Sequence, residues 1–324
     1  MKKFKFFIFL IFGIFIFHWV YKFFAGPESI KLILNAKYKI FYLIIAHIPT
    51  LFFDTLAWAI LMVKNKLSIK TTFVITWISQ TSGKFIPSGN ITGEFVRFYL
   101  ARRSGQKFSD ASSSVLMDLF IATFSLFIIG LLALIFIVFS LKSNFILDKY
   151  QYLIMALVLI SLGSLFFLLI IRKRIISKLL ASTKKFEFLS KKNVYNLIRL
   201  DISLNKLSYR KKLLLSAITL RLIGWIAGAF EIYIFLWIIG VDAKVTDVII
   251  IESVTAIIRS AAFFIPSAIG VQELAFVIVG ELVGYSGIVS FSIAMGRRLR
   301  EIMVGIPAII TWIFIIRKQS NYLN

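Results

Sequence analysis

Nine charged side chains sit within or beside long apolar runs: Glu94, Asp118, Arg221, Glu231, Glu252, Arg259, Glu273, Arg297 and Arg298. A charge at hydrocarbon depth is costly, so it faces a partner or a wet cavity, and it marks routes for headgroups, ions or protons. Two of the nine end matching decapeptides. FIPSGNITGE (85–94) carries Pro87, Gly89 and Asn90 ahead of Glu94, and FIPSAIGVQE (264–273) carries Pro266, Gly270 and Gln272 ahead of Glu273. Clusters of this kind interrupt a helix, and a broken helix in a membrane exposes N–H groups and helix ends that can hold an anion. The plainer alternatives are an Arg221/Glu231 helix that only fixes packing and breaks that only permit kinks.

The composition requires a bilayer. Of 324 residues 59% are hydrophobic, against roughly 45–50% in an ordinary soluble domain. Thirty-eight Lys+Arg against 15 Asp+Glu give a formal charge of +23. The basic residues flank apolar runs, which points to membrane orientation and anionic headgroups and not to nucleic acid. With no cysteine, disulfides, thiolate nucleophiles and Cys-based metal sites are excluded. His18 and His47 have no ligand-spaced partner, so no metal is expected. No G-x-x-x-x-G-K-[ST] motif is present, which disfavours ATP-driven transport by this chain alone, and no cofactor is expected.

The elements that must position these groups follow from the apolar runs. Residues 4–24 begin like a signal peptide but lack an A-x-A-like site, and are expected to be a retained first helix. Further membrane-length runs cover 40–63, 111–141, 150–171, 213–240 and 288–316. The interrupted segments 71–103 and 245–283 are expected to be re-entrant or broken-helix hairpins. Asp54 and His47 are expected to satisfy only local hydrogen bonds. Residues 172–212 hold 13 Lys+Arg and form a basic loop on the cytoplasmic side. With that loop inside and each hairpin returning to its own side, inner stretches hold 24 Lys+Arg and outer stretches 5. Both termini are then cytoplasmic, and the membrane is the bacterial inner membrane.

The two decapeptides are offset by 179 residues, and Gly105 and Gly284 fall in the same register. Under this topology the hairpins enter from opposite sides, and the long helices after them run oppositely. That pattern is an inverted-topology repeat, with halves of about 71–171 and 245–316 in a single transmembrane domain spanning 1–324. Asp118 and Arg297 correspond in the repeat, and Arg221 and Glu231, about 80° apart on one helix, are expected to have different partners. The fold expected is all-α: a polytopic membrane protein with two hairpins.

At FIPSGNITGEFVRFYLARRSG, RSAAFFIPSAIGVQELAF and AMGRRLRE the chain resembles the lysylphosphatidylglycerol synthase transmembrane-region family of flippase-like proteins, over roughly residues 10–316. Within it, the resemblance is to the hopanoid-biosynthesis-associated HpnL type. It implies an inner-membrane helical protein, in some members one that translocates an aminoacylated phospholipid. It also assigns Pro87, Gly93, Glu94 and Arg97 to one family motif, and Pro266, Gly270, Glu273 and Arg298 to a second. Asp118-Leu119 stands where many members carry an acidic-Arg pair, so a lysyl-lipid substrate is not expected. With no soluble aminoacyl-transfer domain before Asn324, neither is synthesis of such a lipid.

The leading functional expectation is a lipid transporter, not an enzyme, moving a phospholipid or hopanoid-type amphiphile between leaflets. Its partners are membrane lipids. The alternatives are an accessory subunit that scaffolds lipid-biosynthesis enzymes and, third, a lipid-linked transferase, which would need an acidic site the outer loops do not supply.

Overall fold

The structure is a computed structural model that describes residues 2–24, 26–85, 91–140, 146–182, 190–262 and 265–320. Helix α1 (Lys2–Phe23) turns by 81° into the short α2 (Gly26–Asn35). A 3-10 turn, Lys37–Phe41, leads into α3 (Tyr42–Leu61). The first hairpin is α4 (Ile69–Phe85) and α5 (Ile91–Arg103), packed side by side and followed by α6 (Phe108–Ser140). Then come α7 (Ile146–Arg172), α8 (Ile175–Ser182), α9 (Lys191–Ser208) and α10 (Lys211–Ile238). The second hairpin is α11 (Val245–Ala261) and α12 (Val271–Leu282), and α13 (Gly287–Ser320) closes the fold. Among the described residues there is no strand.

Four helices are long and apolar enough to cross a membrane, among the described residues: Lys37–Leu61, Phe108–Phe139, Gln151–Arg172 and Lys211–Ile238, with the bent α1–α2 pair a fifth if it counts as one span. The 34-residue α13 is long enough but carries Arg297, Arg298, Arg300 and Glu301 at mid-length. Three of these, Arg297, Arg300 and Glu301, are buried against other helices, so its polarity faces inward. The chain is therefore an all-α multi-pass membrane protein.

Residues 172–212 are not a plain loop. They form α8 and α9, and α9 buries Leu200, Leu204 and Leu207 against α6, α7 and α10. Asp201 on α9 accepts hydrogen bonds from the backbone N–H of Ser177 at 2.9 Å and from its hydroxyl, fixing the start of α8. The cations of α9, Lys191, Lys192, Arg199 and Lys206, are exposed, as its helical period requires.

The repeat extends further than the matching residues. Displaced by 179, α5 would cover 270–282 and α6 would cover 287–319, against Val271–Leu282 and Gly287–Ser320 observed. The same shift lays α3 over 221–240, within or next to α10. Backbone detail repeats too. Gly105 (φ +95°) and Gly284 (φ +101°) both end their hairpin helix in the left-handed region. Gly105 N–H bonds to Arg102 and Gln106 N–H to Ala101, while Gly284 N–H bonds to Glu281 and Tyr285 N–H to Gly280. Each is a Schellman cap with glycine at its left-handed position.

The two long helices run in opposite directions. Ala111 and Val115, at the start of α6, share one apolar cluster around Trp58 with Trp312 and Ile315, near the end of α13. Ile137 from late α6 and Ile293 from early α13 lie together in the main core. An inverted repeat requires this polarity.

The glycine caps give a test. A Cβ at position 105 or 284 meets nothing within 4 Å, so substitution costs only backbone strain. Gly105→Ala and Gly284→Ala should each lose roughly 1–2 kcal/mol in detergent unfolding, and the Asn variants distinctly less, because Asn tolerates this conformation. Equal losses for Ala and Asn would contradict the assignment.

Candidate functional site: a charged cavity between the hairpins

The buried charges resolve into three groups. In the first, Asp118 on α6 is 1% exposed and accepts from Arg97 of α5 and Arg221 of α10, both at 2.5 Å. Arg221 also reaches Asp54 of α3 at 2.7 Å, and Gln80 of α4 donates to Asp54 at 2.8 Å. The Arg97 guanidinium lies 5.2 Å from the Trp58 ring centre, donates to the Ser79 hydroxyl and meets Glu94 at 3.4 Å. Gly93 makes this possible: a Cβ there would come within 2.7 Å of the Ser79 carbonyl, so only glycine lets α5 lie this close to α4.

In the second group, Glu231 of α10 receives His47 Nδ1 at 2.7 Å and the Thr50 hydroxyl at 2.9 Å, both from α3. Arg297 at 3.4 Å and Arg300 at 3.2 Å approach the same carboxylate, and Arg297 also pairs with Glu252 of α11. The third group lies at the second hairpin's tip. Glu273 is fully buried, accepts from the Gly270 N–H at 2.7 Å and pairs with Arg298 at 2.6 Å. Arg298 and Lys84 both meet Glu301, at 3.3 and 3.7 Å.

Several expectations change here. Asp54 and His47 do not make local bonds; each binds a residue of α10 more than 160 positions away, because α3 lies antiparallel along that helix. Arg221 and Glu231 do have different partners. Asp118 and Arg297, repeat mates, do not pair with each other; each is satisfied inside its own group. Arg300, Glu301 and Lys84 were outside the expected site and are integral to it. A clue was available in the AMGRRLRE run, whose helical spacing puts Arg297, Arg300 and Glu301 on one face.

The turn of the second hairpin reaches the end of α4. The turn Pro266–Ala268 buries Pro266, and the Ser267 hydroxyl donates to the carbonyl of Lys84 at the end of α4. Gly270 (φ +80°) lies against the Gly13 carbonyl of α1, where no Cβ fits. Pro87, Gly89 and Asn90 lie outside the described residues.

Between the hairpins lies a cavity of about 320 Å³. Lys84, Gly93, Glu94 and Arg97 line it from the first hairpin, and Arg259, Ser267, Gln272 and Ala268 from the second. Arg298 and Glu301 close one side, and Arg221 and Trp225 of α10 another. Leu119, Ala122, Thr123 and Leu126 of α6 form an apolar flank. The walls hold five cations against two carboxylates. By contrast, the space beside Glu231, Arg297 and Arg300 is only about 10 Å³, no more than one water requires. Of the residues expected to serve the site, Glu231, Glu252 and Arg297 therefore belong to a closed group, and Asp118 and Glu273 stand behind the wall as counter-charges.

The family described as Lysylphosphatidylglycerol synthase TM region matches residues 6–308. The chain belongs to that family. Both hairpins, the three charge groups and the cavity fall inside the matched region, and a membrane-lipid-related function follows from the membership. No curated protein and no solved structure matches the chain significantly.

Removing one member of such a group strands its partner. Arg221→Met should destabilise the protein by about 3–5 kcal/mol. The double change Asp54→Asn/Arg221→Met should cost less than the sum of its parts by roughly 0.5–3 kcal/mol, measured by unfolding in detergent. Strict additivity would contradict the pairing.

Proposed function

We propose that this protein moves an amphiphilic lipid between the leaflets of the bacterial inner membrane, with both termini cytoplasmic and without chemical change to the lipid. The observation that carries the reading is the cavity: a charged, headgroup-sized space at the meeting point of two oppositely directed hairpins, flanked by the apolar wall of α6. Broken helices converging on one site between inverted halves are the architecture of alternating-access carriers. The closed group around Glu231 leaves a space of only about 10 Å³, so the cavity between the hairpins is the roomier of the two charged spaces.

In this reading the headgroup enters among Lys84, Arg259 and Arg298 while the acyl or polycyclic tail stays along Leu119 and Leu126 in the bilayer. A phospholipid or a hopanoid-type amphiphile satisfies that geometry. The competing reading, an accessory subunit of lipid-biosynthesis enzymes, requires no solvent-filled cavity.

The test is leaflet exchange of fluorescent lipids in proteoliposomes. Ala122→Trp, which fills the cavity without touching any ion pair, should lower exchange at least tenfold while leaving the unfolding temperature within a few degrees. Exchange no faster than in protein-free vesicles, for every headgroup and with folded protein, would favour the accessory reading.

A further inference from the structure

Four of the five cations around the cavity already have a carboxylate. Arg97 and Arg221 are held by Asp118, Arg298 by Glu273, and Lys84 by Glu301. Arg259 is the exception. Among the described residues no carboxylate lies within 4.0 Å of it, and its hydrogen bond goes to the Gln272 side-chain oxygen at 3.2 Å. A guanidinium carries five N–H donors, so most of its capacity faces the cavity unused. Gln272 is 1% exposed, and its Nε2, Trp225 Nε1 and Arg221 Nε have no hydrogen-bond partner. Buried donors without acceptors are expensive. The unpartnered buried atoms of the wall are mixed in kind, since Glu94 Oε2 also has no hydrogen-bond partner, but the spare donors of Arg259 call for an anion rich in acceptor oxygens.

Resting on the transport reading above, we infer that the headgroup taken up is an anionic phosphate ester with no aminoacyl cation, and that Arg259 with Gln272 is its anchor. A phosphate presents oxygens in the geometry a guanidinium fork matches. A lysyl ester would bring an ammonium beside Lys84 and Arg259. The only wall carboxylates that could receive it, Glu94 and Glu301, lie 3.4 Å from Arg97 and 3.3 Å from Arg298 and are outnumbered by the five wall cations. The apolar flank at Leu119 and Leu126 favours a lipid phosphate over the free ion.

Arg259 is also the wall cation whose replacement breaks no ion pair, which makes it a clean probe. Binding to the purified full chain in detergent would be measured by native mass spectrometry for phosphatidic acid, phosphatidylglycerol, lysyl-phosphatidylglycerol, phosphatidylcholine and inorganic phosphate, with thermal unfolding as the check on folding. The two anionic lipids should bind best. Arg259→Gln should weaken them roughly tenfold to a hundredfold, the scale of one charge-assisted hydrogen bond, and Arg259→Lys by much less. Gln272→Glu, which supplies Arg259 with a carboxylate, should lose anionic lipid.

The inference is overturned if lysyl-phosphatidylglycerol or phosphatidylcholine binds wild type as tightly as phosphatidic acid, if Arg259→Gln changes nothing, or if inorganic phosphate binds as well as the lipids. Arg259-dependent binding of anionic lipid without leaflet exchange would uphold this headgroup assignment and overturn transport. Exchange that prefers the lysylated lipid would do the reverse.

Discussion

Two opposite charges on one membrane helix, Arg221 and Glu231, set the arrangement of the rest. They stand ten residues apart, about 15 Å along α10, and at that depth neither can be left unpaired. Satisfying Arg221 draws in Asp54 from α3 and Asp118 from α6, and Asp118 in turn holds Arg97 of the first hairpin. Satisfying Glu231 draws in His47 from α3 and Arg297 and Arg300 from α13, with Arg297 reaching Glu252 of the second hairpin. Each half of the repeat is thus fastened to the same helix through charge. The apolar faces alone would allow α3 to slide along α10; two charged rungs seven residues apart on α3 do not.

The halves share a backbone but have opposite chemistry. At the corresponding position of the long helix, one carries an acid, Asp118, and the other a base, Arg297, and each finds its partner of opposite sign on α10. The groups therefore cannot be interchanged by symmetry, and the structure shows them in different conditions: one beside an open cavity, the other tightly packed. Architectural symmetry is thus combined with chemical asymmetry, and the cavity draws its cations from both halves.

Much of this was legible in the sequence, and the losses have physical causes. The runs 111–141, 150–171, 213–240 and 288–316 match α6, α7, α10 and α13 closely, because twenty apolar residues in a row have one stable form in lipid. The Phe-Ile-Pro-Ser repeat located both hairpins, and charge counting anticipated the opposite course of α6 and α13. The relation between α3 and α10 left no trace, since lipid-facing positions demand only apolarity and retain no identity. Partners of buried charges were not legible either. Asp54 and His47 lie in an apolar helix with no motif around them, and only the antiparallel register of α3 on α10 brings them to Arg221 and Glu231. The helical content of 172–212 was obscured by its many cations; those of α9, Lys191, Lys192, Arg199 and Lys206, are exposed and conceal the stripe of Leu200, Leu204 and Leu207 beneath.

Transport through this fold requires that the cavity between the two hairpins be water-accessible at membrane depth. The absence of cysteine makes it directly measurable, because every introduced thiol is unique. Thr123→Cys and Ser260→Cys place one thiol on the α6 flank and one at the second hairpin, and Val158→Cys on α7, 49% exposed on an apolar helix, is the lipid-facing control. A charged, membrane-impermeant maleimide applied to reconstituted protein should modify both cavity thiols and leave position 158 unmodified. Cavity thiols that refuse the charged reagent, and react only with an apolar one as position 158 does, would contradict the account.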